Sequence, residues 1–393
     1  MENIKKILRS NLIKIFILFI FSFDLLTKII IVYDFEGFRR YSAIPKAILE
    51  IGLFYFIIKD KKFNNKIMLC ALFLLLITLL NTLILVNDIS IEILIVKGYT
   101  LNKYLFLFLF SSVFLMIKDN KKILYQIRNV LLVVGFVNSL FIIIGLFSEI
   151  ELLRAYPNSQ RFGYNGLFLK TSEASYFYIL LIITTYQGYA NNYLNKITFY
   201  IFLLSSLLIG TKVVWVFILL LIGVHFLLHR KKEIRNTFIA ISISGLLIVV
   251  FLRDSLVKLV VNMFSFGPSI YEEYGFLTVI TSTRDLLFIN AYKYVTEEWT
   301  IINYLFGGAN LREIGVEFEF VDIFLYFGIF GLAIFLVGVK SIFLQKENTK
   351  IGLFLFYSFM IVVFFAGNFF MSIICSIFAF VVFHQDLVSK KDI

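Results

Sequence analysis

Runs of 16–22 apolar residues recur along almost the whole chain, and they leave it few folds. Each run is close to the ~20 residues that carry a helix across a bilayer. We read twelve spans, roughly 12–33, 43–58, 67–87, 101–117, 129–148, 173–190, 197–210, 213–228, 237–252, 321–339, 351–366 and 368–383. A chain that is 60% hydrophobic and 16% charged does not belong with soluble domains of this length. The expected fold is all-α, a polytopic membrane protein forming one integral domain over 1–393. Several spans are short for a full crossing, which calls for tilted or broken helices.

Lys and Arg set the expected orientation. With the N-terminus inside, the inner segments are 1–14, 59–66, 118–128, 191–196, 229–236, 340–350 and 384–393. They hold well over half of the 37 basic residues and few of the 26 acidic ones. This bias places both termini in the cytoplasm. The net charge of +11 is therefore a topology signal. The basic residues lie in short scattered loops and form no single face, so no nucleic-acid partner is expected. MENIKKILRS is basic and precedes an apolar run without a small-residue cleavage site, which reads as an anchor. Cys70 and Cys375 sit inside spans as small core hydrophobes. Asp24 and Lys28, spaced i and i+4, read as an ion pair within the first span.

Two long segments face outward, 149–172 and 253–318. Connections between elements are usually short, so long polar inserts between apolar helices point to function. The first carries the turn Tyr156-Pro157-Asn158-Ser159 and two glycines, Gly163 and Gly166. In the second, Ser282-Thr283-Arg284-Asp285 reads as a capping box. Leu287, Ala291, Tyr294, Val295 and Trp299 then follow at helical spacing, an amphipathic helix that ends before Phe306-Gly307-Gly308.

No phosphate-binding glycine motif of a nucleotide site occurs, so ATP-driven chemistry is not expected. His225, His229 and His384 map to inner helix ends, and the outer loops lack His and Cys. No cofactor and no metal are expected. The outer cations stand out: Arg154, Arg161 and Lys170 in the first loop, Lys212 at the tip of LLIGTK, and Arg284. Each either snorkels to lipid headgroups or helps clamp a phosphate. Glu317, Glu319 and Asp322 gather at the start of the tenth span. They either complement a helix N-terminus or include a base for a sugar hydroxyl. Glu173 opens the sixth span and is a candidate for orienting a sugar.

Four segments recur in order: RFGYNGLF followed by Glu173, LLIGTK at a hairpin tip, TSTRDLLFINAY leading to LFGGAN, and EFEFVDIFLYFGIFGL. Over about 150–335 this set resembles the O-antigen polymerase and ligase superfamily of Wzy-like membrane glycosyltransferases. The resemblance implies a GT-C-type helical fold and transfer of undecaprenyl-diphosphate-linked glycans at the outer face of the membrane. It casts Arg161, Lys212 and Arg284 as diphosphate contacts and places the acids where an acceptor is activated; Arg154 is a further substrate-binding candidate from its charge in the outer loop. It also implies flippase and chain-length regulator proteins as partners. Ligases carry a His shortly before the final G-x-x-G, here Gly328 and Gly331. The matching residue is Glu317, which favours a polymerase. A lipid-linked glycan ligase, a lipid-linked oligosaccharide flippase and a non-catalytic membrane subunit stay open as alternatives.

The charge asymmetry makes a direct prediction about topology. A cysteine at Ser269 should react with an impermeant thiol reagent in intact cells or spheroplasts, and one at Asn236 should not. The opposite labelling pattern would reverse the outside assignment of both long segments.

Overall fold

The computed structural model describes residues 2–35, 41–60, 63–85, 91–117, 120–148, 150–157, 161–190, 194–228, 267–344 and 349–384, with a few isolated positions. Within them the chain is helical apart from turns, and Arg154 and Tyr164 form an isolated antiparallel bridge. The helices are α1 (Glu2–Val32), α2 (Ala43–Asp60), α3 (Asn65–Leu85), α4 (Ile91–Phe114), α5 (Asn120–Ser148), α6 (Thr171–Ala190), α7 (Lys196–Leu207) and α8 (Lys212–Leu228). After the expected ninth span, which lies outside the described residues, come α9 (Gly267–Tyr274), α10 (Phe276–Thr281), α11 (Arg284–Glu298), α12 (Ile301–Phe306) and α13 (Leu311–Ile314). The chain closes with α14 (Glu319–Phe343), α15 (Lys350–Ala366) and α16 (Ile373–His384).

Among the described residues, five helices are long and apolar enough to cross a membrane: Lys14–Val32, Asn65–Leu83, Ile91–Phe114, Lys121–Ser148 and Glu319–Phe343. The protein is thus a helical membrane protein. Four further apolar helices are shorter, at Lys196–Leu207, Lys212–Phe226, Lys350–Ala366 and Ile373–His384. The second expected span is helical but carries Lys46, Glu50, Lys59 and Asp60. The last begins later than hydropathy suggests, because the backbone turns at Gly367 and Asn368, both at positive φ, before α16 starts.

The core lies where α6 and α16 cross. Residues 173–188 of α6 and all 12 residues of α16 are buried. A helix that is apolar on every side belongs inside a bundle. Around this pair, α16 packs on α4 and α5, α3 packs between α4 and α14, and α15 packs on α8. Aromatic edges lock the crossings: Phe177 meets Phe378 at 5.0 Å, Phe110 meets Phe380 at 5.4 Å and Phe335 meets Phe370 at 4.9 Å between ring centroids. The outer helices turn Leu18, Leu69, Leu83, Leu140 and Ile361 outward, where lipid solvates them. Cys70 and Cys375 are free and buried, as expected of core residues.

Non-helical backbone enters this bundle at two places. The 165–168 turn sits against α1 and α5. There Lys28 donates to Asn165 Oδ1 and to the Gly166 carbonyl, each at 2.6 Å. Asn138 Oδ1 accepts from the Leu167 N–H at 2.6 Å. The expected Asp24–Lys28 pair does not form. Lys28 serves the turn, and Asp24 instead pairs with Lys46 of α2 at 2.8 Å. The second place is a kink in α14 at Gly328, whose φ of 69° breaks the helix. Gly308 N–H bonds the Tyr326 carbonyl, Ala309 N–H bonds that of Leu325, and Asn81 reaches the carbonyls of Phe306 and Tyr326.

Glycines allow these close approaches. A Cβ on Gly163 would sit 2.4 Å from the Ile209 carbonyl oxygen, and one on Gly210 would sit 2.4 Å from that of Phe162. The two segments RFGYNGLF and LLIGTK therefore touch backbone to backbone, sealed by the Tyr164 N–H to Leu208 carbonyl bond at 2.9 Å. Gly210→Ala should destabilise the protein by on the order of 1–3 kcal/mol, through positive φ and the clash together. Gly223→Ala, in open helical space, should be neutral or slightly stabilising. Thermal unfolding of the two variants in one detergent checks the contrast.

Candidate functional site

The contact between the two glycine segments fixes where Arg161 and Lys212 stand, because each lies two residues from its own glycine. Lys212 begins α8 and points its ammonium at the C-terminal end of α10. It donates to the Val279 carbonyl, to the Ile280 carbonyl at 3.0 Å and to Ser282 Oγ at 2.9 Å. A cation at a helix C-terminus is favoured by the dipole and by the unsatisfied carbonyls there.

The expected capping box is not what starts α11. Ser282 and Thr283 are both left-handed, at φ 57° and 68°, and Thr283 makes no side-chain cap bond. Asp285 instead accepts from the Thr278 and Thr281 hydroxyls at 2.6 and 2.7 Å, tying α10 to α11. Desolvation raises this carboxyl, but the two hydroxyls outweigh it and hold the acid below its ordinary range. A capping box forms further on, between Thr300 and Asn303, so the helix ends at Glu298 and α12 takes over to Phe306. The expected amphipathic face of α11 forms only in part, because Leu287, Phe288, Ile289 and Tyr292 are exposed apolar or aromatic residues on the same helix. Ala291, Val295 and Trp299 bury against Ala309, Val316 and Leu325.

Arg284 heads α11 and reaches across to α15. Nε donates to Glu317 Oε2 at 3.2 Å, and the two terminal nitrogens donate to the Phe365 and Ala366 carbonyls at 3.3 Å. Lys212 lies within electrostatic reach of both Arg161 and Arg284. Tyr156 does too, and the Arg161 guanidinium lies 4.0 Å over its ring. Burial raises the Tyr156 phenol, and the two arginines pull it back down. Two arginines from separate sequence segments thus gather around one tyrosine, and Lys212 lies within electrostatic reach of both. Tyr156 was legible only as part of a turn; a Tyr-Pro beside an Arg in an outer loop was the available signal.

The acids separate into different roles. Glu319 is fully buried, and its carboxylate accepts from the Phe369 and Phe370 N–H groups at 2.6 and 3.3 Å. Asp322 shares its helix face as expected and is 6% exposed; its Oδ1 accepts from the Val316 N–H at 2.7 Å. Both are consumed in holding turns. Glu317 is different. Its backbone is left-handed at φ 61°, and its side chain is 52% exposed beside Arg284. It is the carboxylate of the three that a substrate can reach.

Two candidates stand elsewhere. Arg154 pairs with Glu151 at 3.4 Å, and its backbone bridges to Tyr164. Glu173, 9% exposed, sits instead within electrostatic reach of Asp24, Lys46 and Lys103. Beside the Arg284–Glu317 pair, α11, α14 and α15 enclose an open apolar cavity of about 360 Å³, lined by Phe288, Tyr292, Phe320, Phe324 and Phe364 among others. Among the described residues, no three His, Cys, Asp or Glu side chains gather as a metal site.

These geometries separate structural from reachable carboxylates. Glu319→Gln places an amide NH2 against one of the two backbone donors and forfeits that bond, and should cost about 1–3 kcal/mol of stability. Glu317→Gln should leave thermal unfolding within about 0.5 kcal/mol of wild type, as exposed ion pairs contribute little. Equal destabilisation by both would remove the distinction.

Compared with protein-family models, with curated proteins and with solved structures, the chain matches none.

Proposed function

We propose that the protein is a membrane glycosyltransferase that polymerises undecaprenyl-diphosphate-linked oligosaccharide repeat units. The product is an O-antigen, capsular or exopolysaccharide, made at the outer face of the bacterial cytoplasmic membrane. The reading includes twelve spans, a GT-C-type arrangement and both termini inside. The observation that supports it is the gathering of Arg161, Lys212 and Arg284 beside the exposed carboxylate of Glu317.

In this mechanism Glu317 takes the proton from an acceptor sugar hydroxyl. The hydroxyl oxygen forms its bond to the donor's anomeric carbon as the bond from that carbon to the lipid diphosphate breaks. The electron pair leaves with the diphosphate. Arg161 and Arg284 hold the developing charge there with planar donor sets suited to phosphoryl oxygens. Lys212 has its bonds on α10 and adds its positive field. The Arg284–Glu317 pair keeps the base beside the leaving-group site until a diphosphate competes for the guanidinium.

Purified protein in liposomes with a lipid-linked repeat unit tests the reading. A polymer ladder supports it. Single transfer to another acceptor indicates a ligase, and leaflet exchange alone indicates a flippase. Arg284→Ala and Arg161→Ala should each lower the rate on the order of 10²–10³, as for other lost transition-state donors. Arg284→Lys should rescue in part, since it keeps charge without the fork. Glu317→Gln should fail as badly as Glu317→Ala. Wild-type polymer from all of these variants, at normal protein levels, would overturn the site.

A further inference from the structure

A second charged gathering is built largely from elements that the proposed chemistry does not use. Lys46 comes from α2, Tyr99 and Lys103 from α4, Lys170 from the turn before α6, Glu173 from α6 and Asp24 from α1. Lys103 Nζ sits 4.2 Å from the Tyr99 ring centroid and feels Lys170 and Glu173. Lys46 feels Glu173, Asp24 and Tyr99. Asp24 is 2% exposed; one carboxylate oxygen takes the Lys46 ammonium at 2.8 Å, and the other, Oδ2, is buried with no hydrogen bond.

Three ammonium groups face two carboxylates here, so the cluster carries surplus positive charge at the edge of an apolar bundle. Ionisable groups at such depth are costly unless they are paired or serve a ligand. The cluster is open, because Tyr99 and Lys170 are exposed. On the same helices Leu94, Ile95, Ile48 and Ile51 are exposed and apolar, as a lipid-facing surface is. The missing partner is therefore an anion that arrives from the membrane. Lysines act as point charges toward phosphate. The idle Asp24 oxygen calls for a hydroxyl donor next to that phosphate.

We propose that Lys46, Tyr99, Lys103 and Lys170 form a second binding site, for the phosphate of a membrane lipid whose headgroup also carries a hydroxyl. The two sites are linked through α6 and α16. Cys375 stands within reach of Glu173, Lys46 and Asp24, and Tyr176, within reach of Cys375, also feels Arg284 and Glu317. Resting on the polymerase reading, this site would hold one lipid-linked saccharide while the Arg284 site holds the other. The same chemistry also fits a bulk phospholipid such as phosphatidylglycerol.

Native mass spectrometry of the full chain in a zwitterionic nanodisc distinguishes these sources. The probes are a long-chain polyprenyl diphosphate carrying one sugar, and phosphatidylglycerol. Lys103→Ala/Lys170→Ala spares the buried Lys46–Asp24 pair and so should keep the fold; Lys103→Arg/Lys170→Arg controls for charge. The wild type should bind two polyprenyl diphosphates. The double alanine variant should bind one, with the other weakened on the order of tenfold or more, and the double arginine variant should bind two. Arg284→Ala should lose the opposite copy. Unchanged binding of both lipids to the double alanine variant overturns the second site while leaving the polymerase reading intact. Loss of phosphatidylglycerol in that variant, with no polyprenyl diphosphate bound by the wild type, upholds the phosphate site and sinks the polymerase reading.

Discussion

Backbone that leaves the helix inside an apolar bundle has no water to turn to, so side chains must satisfy it. This chain meets that demand with a few buried polar groups. Lys28 and Asn138 hold the 165–168 turn, Asn81 holds the carbonyls around the α14 kink, and Glu319 holds the N–H groups after α15. Asp322 does the same for Val316. Three of these four places have a member of the candidate site close by. Arg161 precedes the first turn, Glu317 follows Val316, and the Arg284 guanidinium binds the carbonyls just ahead of the Glu319-held corner. The polar interior of the protein is therefore scaffolding for an exterior constellation.

Glycine performs the complementary task. The paired approach of Gly163 and Gly210, and of Gly307 and Gly328, brings backbones closer than any side chain permits. Segments distant in sequence are thereby joined without intervening side chains. The same contacts explain why short motifs rich in glycine punctuate an otherwise apolar chain.

How legible this was in the sequence depends on which force set each feature. Apolar run length reflects solvation of whole segments, and it located the helices that the structure describes. It did not locate the break at Gly367–Ser372, because Phe369, Phe370 and Met371 are as apolar in a turn as in a helix. The cations Arg161, Lys212 and Arg284 were legible singly as charges out of place. Their meeting was not, since it depends on glycine contacts between segments almost 50 residues apart. Local spacing misled twice. Asp24 and Lys28 sit one helical turn apart, yet each bonds a different element. Ser282 to Asp285 has the pattern of a capping box, yet the carboxylate turns back to two threonines of α10. In both cases a tertiary partner offered a better hydrogen bond than the local one. The acids illustrate a third limit: burial alone distinguishes Glu317 from Glu319, and two residues of sequence do not encode it.

The stretch from α10 to α13 is fastened at both ends. Lys212 and Asp285 pin its start, while Gly308 and Ala309 are bonded into the kink of α14. A strap so held is a fixed roof and not a swinging door. Traffic to the Arg284–Glu317 pair then has to pass sideways, through the aromatic-walled opening between α11, α14 and α15. For the lipid-linked substrates proposed above, supply would become a two-dimensional problem, governed by how fast lipid carriers wander in the plane of the bilayer and how densely they populate it. Membrane viscosity and acyl composition would then govern turnover, much as stirring governs a surface reaction.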